Sequence, residues 1–406
     1  MSSRSSSLRI VVSGIAGLYP VGGVAWDYMQ YPIGLTRLGH DVVYHEDTRQ
    51  WPYDPVKVTA VDSASYTVEY LARFFQTYAP ELSNRWHYRH LGAESFGLSQ
   101  SEFARFAQSA DLFLNISAAN QYPTELGPRC VTTYLDTDPG FNQVALDHPP
   151  AWQTEAQWSN SVEGFRRYDR FLTYAENIGE DDCLLPTLGV PWIKTRMPIV
   201  HSLWRNVPGA HEKAPWTTVM TWNAFPAPLV HNGREYGSKS IEFAKILSLP
   251  RATSRPLKIA IGGVAPLDSL AQQGWTVVDA PSVTLTPEDY RDFIAASRGE
   301  VSTAKNVYVA MKTGWFSCRT ACYLAAGRPA VVQDTGFSKT IPVGKGLFAF
   351  DTLEQAVAAI ETIEGDYRSH ATAARDVAID QFDSDKVLTR MLNDIFAVSA
   401  DRPSGT

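Results

Sequence analysis

Cysteine is scarce in this chain: four residues in 406, at Cys130, Cys183, Cys318 and Cys322. None stands in a CxxC pair or in a Cys/His spacing typical of zinc, and the pattern fits a reduced protein. Long apolar runs are missing as well, and nothing approaches the roughly 20 residues that a membrane helix needs. A basic excess is also absent. The 36 Lys and Arg residues are outnumbered by 43 Asp and Glu, for a net charge of −7. That balance argues against nonspecific binding to a nucleic-acid backbone or an anionic membrane, although a local basic pocket stays compatible with it. Neither half carries GxGxxG with an acid about 20 residues on, which counts against a dinucleotide-dependent oxidoreductase. The opening Met1–Ser7 is polar, without the apolar core of a targeting signal, and reads as a tail. A cytoplasmic protein with no membrane span is the expectation.

What is present is ordinary globular material. Hydrophobic residues make up 44% of the chain, ample for two cores, and 406 residues is long for one domain. Leu8 to Ser13 reads as a buried strand. A glycine-rich loop follows over Gly14 to Gly23, then a helical pattern from Val24 to Leu38 closed by Gly39, then a strand over Asp41 to His45. That order is the opening of a Rossmann-like half. Residues 46–100 read as irregular and aromatic, a segment suited to the border of an acceptor pocket. Ala110 to Ile116 and Arg129 to Leu135 are further strands, and a helix is expected over Ala151 to Tyr168. Pro208 to Pro215, polar and bounded by prolines, is the best linker. It separates an N-terminal domain over residues 8–207 from a C-terminal one over 214–384.

Acids beyond the carboxyl ends of strands are placed for ligand chemistry in open α/β sheets. Asp136 and Asp138, in Asp-Thr-Asp-Pro-Gly, are therefore candidates for a general base, although the same pattern is also turn chemistry. Asp27, near the start of the first helix, is a rival base or a dipole-compensating acid. His201 among apolar neighbours reads as a base or as a structural residue.

The stretch from Asn306 to Val332 organises the second half. Asn306 to Met311 alternates polar and apolar residues and predicts a strand. Lys312 to Ser317 is a small-residue turn, with Ser317 as N-cap of a helix over Cys318 to Ala326; Gly327 and Pro329 end it, and Ala330 begins the next strand. Free amides and the dipole at such a helix start favour an anion, with Lys312 and Arg319 adding full charge.

This stretch resembles the nucleotide-sugar site of glycosyltransferases with the two-Rossmann GT-B fold. Plant-type UDP-sugar transferases read His-Cys-Gly-Trp-Asn-Ser with a Glu three residues later; here the run is Lys312-Thr313-Gly314-Trp315-Phe316-Ser317, with Thr320 at the Glu position. The Glu-x7-Glu signature of the retaining enzymes is absent, since its acids would fall at Gly314 and Cys322. Arg234 and Lys239, in Gly-Arg-x4-Lys, resemble the cation pair that holds a donor diphosphate in retaining members, where a fork and a point charge would neutralise the leaving group. The resemblance implies two Rossmann-like domains facing across a cleft. It implies Gly22 and Gly23 close to the diphosphate, and Asp334, Thr335 and Gly336 near the donor sugar. It also implies a final helix over 385–398 that crosses back to the first domain. The activity implied is transfer from a nucleotide-diphosphate sugar, UDP favoured, to a hydroxyl-bearing small-molecule or glycan acceptor, without a metal or other cofactor. A UDP-sugar 2-epimerase and a non-catalytic nucleotide- or partner-binding protein are the alternatives on the same scaffold.

Overall fold

The computed structural model describes residues 7–150, 153–205, 207–223 and 228–397. The tail before Ser7, the first two residues of the helix expected from Ala151, and Val398 lie outside the described residues.

Two open sheets carry the structure. The first runs in the order 192–194, 170–173, 131–136, 112–116, 9–13, 41–46, 86–90, 94–97, parallel throughout except for the closing hairpin Trp86–His90 with Glu94–Gly97. The second runs 276–279, 257–262, 216–221, 299–302, 330–333, 347–350, all parallel. In chain order the second sheet is 3-2-1-4-5-6, the doubly wound Rossmann arrangement, and the first reverses direction beside its own first strand in the same way. Parallel strands with helices on both faces are buried on both faces, which is why Ile10–Val12 and Leu112–Leu114 are continuous apolar runs with no exposure.

After the second sheet the chain returns. Ile199 exchanges backbone hydrogen bonds with Phe382 and Ser384, and the helix Ser384–Ala397 lays Leu388 against the helix Gln30–Arg37. Gly34 permits the approach, since a Cβ there would stand 2.5 Å from a Leu388 methyl.

Four expectations differ from the fold. The single helix over 24–38 is two, Gly22–Tyr28 and Gln30–Arg37, because Pro32 has no N–H to give to the Tyr28 carbonyl. The irregular stretch 46–100 contains the 14-residue helix Ser65–Tyr78, whose buried face is mostly aromatic, with Tyr70, Phe74, Phe75 and Tyr78 beside Leu71. Asn306–Ala310 is a helix, not a strand. The strand position belongs to Gly299–Ser302, which sequence patterning passes over because it buries Glu300 at 0% exposure.

The glycine-rich loop of the first domain closes on an internal acid. Glu46, at the end of its strand and fully buried, accepts from the Gly17 amide at 2.8 Å, the Leu18 amide at 2.5 Å and the Tyr44 hydroxyl at 2.7 Å. Burial outweighs these three donors and raises its carboxyl to about 7. The folded chain therefore holds this proton more tightly than the unfolded one. The contribution of Glu46 to stability is complete below the ordinary carboxyl range and fades as pH rises through about 7. Glu46→Gln replaces one acceptor by a donor facing an N–H and should cost about 1–3 kcal/mol in urea unfolding. It should also flatten the fall of stability with rising pH, whereas an unchanged pH slope would contradict the assignment.

Candidate active site

The carboxyl ends of the two sheets face each other, and side chains from both lobes interlock there. Asn177, 1% exposed beyond the strand Arg170–Thr173, makes three contacts with the turn of the second lobe. Its backbone N–H donates to the Thr313 carbonyl at 3.0 Å, and its side-chain amide donates to the carbonyls of Lys312 and Gly336, each at 3.1 Å. Gly314 (φ +76°) and Gly336 (φ +91°) make room, because a Cβ would lie 2.8 Å from the Asn177 amide carbon and 2.5 Å from its nitrogen respectively. Trp315 Nε1 donates to the Thr137 carbonyl at 3.0 Å, and its ring lies 4.3 Å from that of Tyr308. Asp138 accepts from Lys305 Nζ at 2.5 Å and from the Tyr308 hydroxyl.

Around this seam the charges are unevenly satisfied. Arg319 is committed: it donates to Glu300 at 2.6 Å, to the Val219 carbonyl at 2.9 Å and to Ser302 at 3.0 Å. Lys305 is paired with Asp138. Lys239, half-buried, makes no side-chain hydrogen bond or ion pair among the described residues. Burial first, then the neighbouring charges of Arg319 and Lys305, hold its ammonium well below the ordinary lysine range, with Glu300 and Asp138 opposing. Three cations thus face two carboxylates, and the one left over is Lys239.

The helix Cys318–Ala325 begins beside them. Ser317 is its N-cap by position, but its side chain makes no capping bond, and the amides of Ser317, Cys318, Arg319 and Thr320 have no acceptor among the described residues. A space of about 20 Å³ opens there, bounded by Ser302–Ala304, Ser317, Arg319 and Thr320. That is room for about one water, so a larger anion enters only if the surrounding segments part. Four unanswered amides, a helix dipole and an uncompensated lysine are an arrangement that attracts an anion.

On the opposing lobe Asp27 sits half-buried in the helix Gly22–Tyr28. Burial lifts its carboxyl to about 6; the Cys318 thiol beside it pulls down, and the charge of Asp138 pushes further up. Asp136 is a different case and a correction. It is 0% exposed, and Gln143 Nε2 at 2.6 Å, Thr173 Oγ1 at 2.9 Å and the Asp138 amide at 3.3 Å occupy its oxygens, so it holds the turn and cannot reach an acceptor. Its carboxyl is raised to about 6 by burial.

The remaining sequence candidates spread out. Gly22 and Gly23 bring their helix against the helix Pro287–Ala295: a Cβ on Gly22 would meet the Thr286 carbonyl at 2.3 Å, and one on Gly23 the Tyr290 ring at 3.3 Å. Arg234 is exposed on a hairpin over the Tyr236 ring at 5.4 Å, and the structure does not bring it to Lys239. Lys312 points outward to Asp182 at 3.6 Å. Asp334 caps its own loop through the Gly336 amide at 2.8 Å, while Thr335 donates to the Trp315 carbonyl at 2.6 Å. His201 turns to the Ala378 carbonyl at 3.2 Å, remote from the seam. Asn177, Lys305, Tyr308 and Glu300 were not singled out in sequence. Asn177 and Lys305 each lie a few residues past a strand, but the second strand was itself misplaced. Among the described residues no group of three or more His, Cys, Asp or Glu could hold a metal ion, and no helix is long and apolar enough to cross a membrane.

No family model and no curated protein matches the chain. Solved structures do. An alpha-glucosyltransferase in complex with UDP and a 13-mer DNA aligns over 96% of this chain and 100% of its own, with TM-score 0.54 and 11% identity. Sucrose-phosphate synthase from Thermosynechococcus elongatus aligns over 96% and 99%, with TM-score 0.51 and 12% identity. The Anabaena protein HepE, in complex with UDP and glucose, aligns over 96% and 99%, with TM-score 0.51 and 11% identity. At these identities the likeness is one of fold: the chain has the GT-B arrangement of two Rossmann-like domains facing across a cleft.

The Asn177 contacts predict a coupled pair of mutants. Asn177→Ala leaves the Lys312 carbonyl without a donor and the Gly336 carbonyl with only the Lys339 amide at 3.3 Å, and Gly314→Ala places a Cβ in the same space at positive φ; each should cost about 1–3 kcal/mol in urea unfolding. Together they should cost clearly less than the sum, because the alanine at 177 vacates the room that the new Cβ needs. Strict additivity would separate the two residues.

Proposed function

We propose that this protein is a glycosyltransferase, moving a sugar from a nucleotide-diphosphate donor to a hydroxyl-bearing acceptor. The observation that carries the reading is Lys239, a half-buried ammonium with no hydrogen-bond or ion-pair partner among the described residues, whose charged neighbours are Arg319, Lys305, Glu300 and Asp138, in a seam that also holds an aspartate raised to about 6. Two of the fold relatives were solved with UDP, which favours a uridine donor. The acceptor oxygen attacks the anomeric carbon, the bond from that carbon to the diphosphate oxygen breaks, and the diphosphate leaves with the electron pair. Negative charge accumulates on the leaving phosphate as the bond lengthens, and fixed positive groups there lower the barrier rather than merely holding the ground state.

Asp27 receives the acceptor proton. Its raised carboxyl sits nearer neutral pH than an ordinary aspartate, which suits a general base. Asp138, 40% exposed in its side chain, is the second acid at the seam, but its pairing with Lys305 and Tyr308 makes it a positioning group. Thr320, Ser317 and Arg319, itself paired with Glu300, form part of the wall of the small space at the helix start, and Trp315 ties that wall to Thr137. The space holds about one water, so donor entry requires the lobes to separate and reaction requires them to close again.

Purified protein incubated with UDP-, GDP- and dTDP-sugars should release a nucleoside diphosphate with at least one of them. Lys239→Met should lower kcat/KM by about 10²–10³, the usual loss for one group stabilising a developing anion. Asp27→Asn should lower kcat by about 10²–10⁴. Because the base must be deprotonated, wild-type kcat/KM should rise with pH through about 6, and that limb should vanish in Asp27→Asn. Zero turnover across the panel by a folded wild type would favour a non-catalytic nucleotide-binding role.

A further inference from the structure

A cavity of about 480 Å³ lies on the first lobe, between the segment that leaves the strand Leu112–Ile116 and the helices Phe141–Asp147 and Glu155–Arg166. It opens beyond the carboxyl end of the strand Leu112–Ile116, the side of such sheets where ligands bind. Its wall is joined to the seam. Ser117 Oγ is bonded to the Tyr28 hydroxyl at 2.6 Å and to Thr137 Oγ1 at 2.5 Å, and those residues adjoin Asp27 and Asp138 in sequence. Ser117 and Ala118 both take positive φ, 59° and 50°, which is costly for two consecutive residues with side chains and is often found where a binding site fixes the backbone.

We propose that this cavity receives the acceptor, and that the acceptor is an uncharged polyhydroxylated molecule of carbohydrate type; the first part rests on the glycosyl-transfer reading. The lining gives the class. Four side-chain amides border it; Asn120 is bonded to the backbone of Asp47 and Gly14, which leaves Gln121, Asn142 and Gln153, and Gln153 Oε1 is buried with no partner among the described residues. An amide offers an acceptor and donors side by side, which matches hydroxyls that do both. No carboxylate lines the space, so an amine would find no counter-charge. Its one charged side chain, Arg167, lies over the Tyr122 ring at 4.9 Å. The rings of Tyr122, Tyr134 and Tyr168 meet edge to face, at 65° and 75°, leaving no parallel pair between which a flat aromatic guest could slot.

Saturation-transfer NMR on the intact chain tests this without any donor, so an inactive preparation leaves the result readable. The probes are maltose, lactose and sucrose, with tyramine and 4-nitrophenol as the cationic and flat aromatic comparisons. At least one disaccharide should bind. Its Kd should rise at least tenfold in a Gln121→Ala/Gln153→Ala double variant and in Asn142→Trp, which fills the space, both checked for a wild-type near-UV circular dichroism spectrum. Binding of no disaccharide, a preference for tyramine or 4-nitrophenol, or an unchanged Kd in the folded double variant would each overturn the proposal. UDP binding, measured separately by calorimetry, reports on the donor reading alone.

Discussion

The arrangement of the seam depends on one buried amide. Asn177 reaches from the end of a first-lobe strand into the turn that precedes the helix Cys318–Ala325, and its three hydrogen bonds fix that turn against the other lobe. Glycine at 314 and at 336 is required by this contact, since any side chain there would occupy the space of the amide. Once the turn is fixed, Trp315 meets Thr137, and Lys305 and Tyr308 meet Asp138. Each of those contacts joins residues from different sheets, so none is local in sequence.

The two lobes handle their glycine-rich turns differently, and the difference separates structure from chemistry. In the first lobe the amides of Gly17 and Leu18 are answered by the buried carboxyl of Glu46, an acceptor supplied by the protein. In the second lobe the amides of Ser317–Thr320 have no acceptor among the described residues, and the buried acid Glu300 is engaged by Arg319. A charge ledger of the seam leaves Lys239 unmatched. Burying a cation without a partner is costly unless something arrives to pair with it. The same contrast distinguishes the aspartates: Asp136 has its oxygens filled from within, whereas Asp27 is half-buried and raised by burial.

Much of the fold was legible in the sequence because buried parallel strands are written as apolar runs. The Gly14–Gly23 loop marked the opening of the first lobe, and Thr286 and Gly327 stand at the helix ends as capping chemistry predicts. Misreadings arose where a polar residue is buried or an apolar one is helical. Gly299–Ser302 hid its strand behind Glu300, whose partner Arg319 is 19 residues on, and Asn306–Ala310 took the vacant strand reading. The site was less legible still. Sequence placed Lys239 and the amides after Ser317 among the candidates, but it could not tell Asp136 from Asp138, because exposure is set by Gln143 and Thr173. It could not find Asn177, whose importance lies wholly in carbonyls 135 and 159 residues away. Arg234 and Lys312 matched motifs by spacing, yet a hairpin and a left-handed backbone turn them elsewhere.

The central claim is that the lysine left unpaired at the seam is completed by a diphosphate. Nuclear magnetic resonance titration of the Lys239 side chain, with and without UDP, tests it directly. Without UDP the ammonium should lose its proton well below the ordinary lysine range, because burial and the cations of Arg319 and Lys305 oppose its charge. With UDP bound, the added anion should raise that value markedly and leave exposed lysines unmoved. A Lys239 that titrates like a surface lysine in both states, or that ignores UDP while UDP binds, would contradict the account.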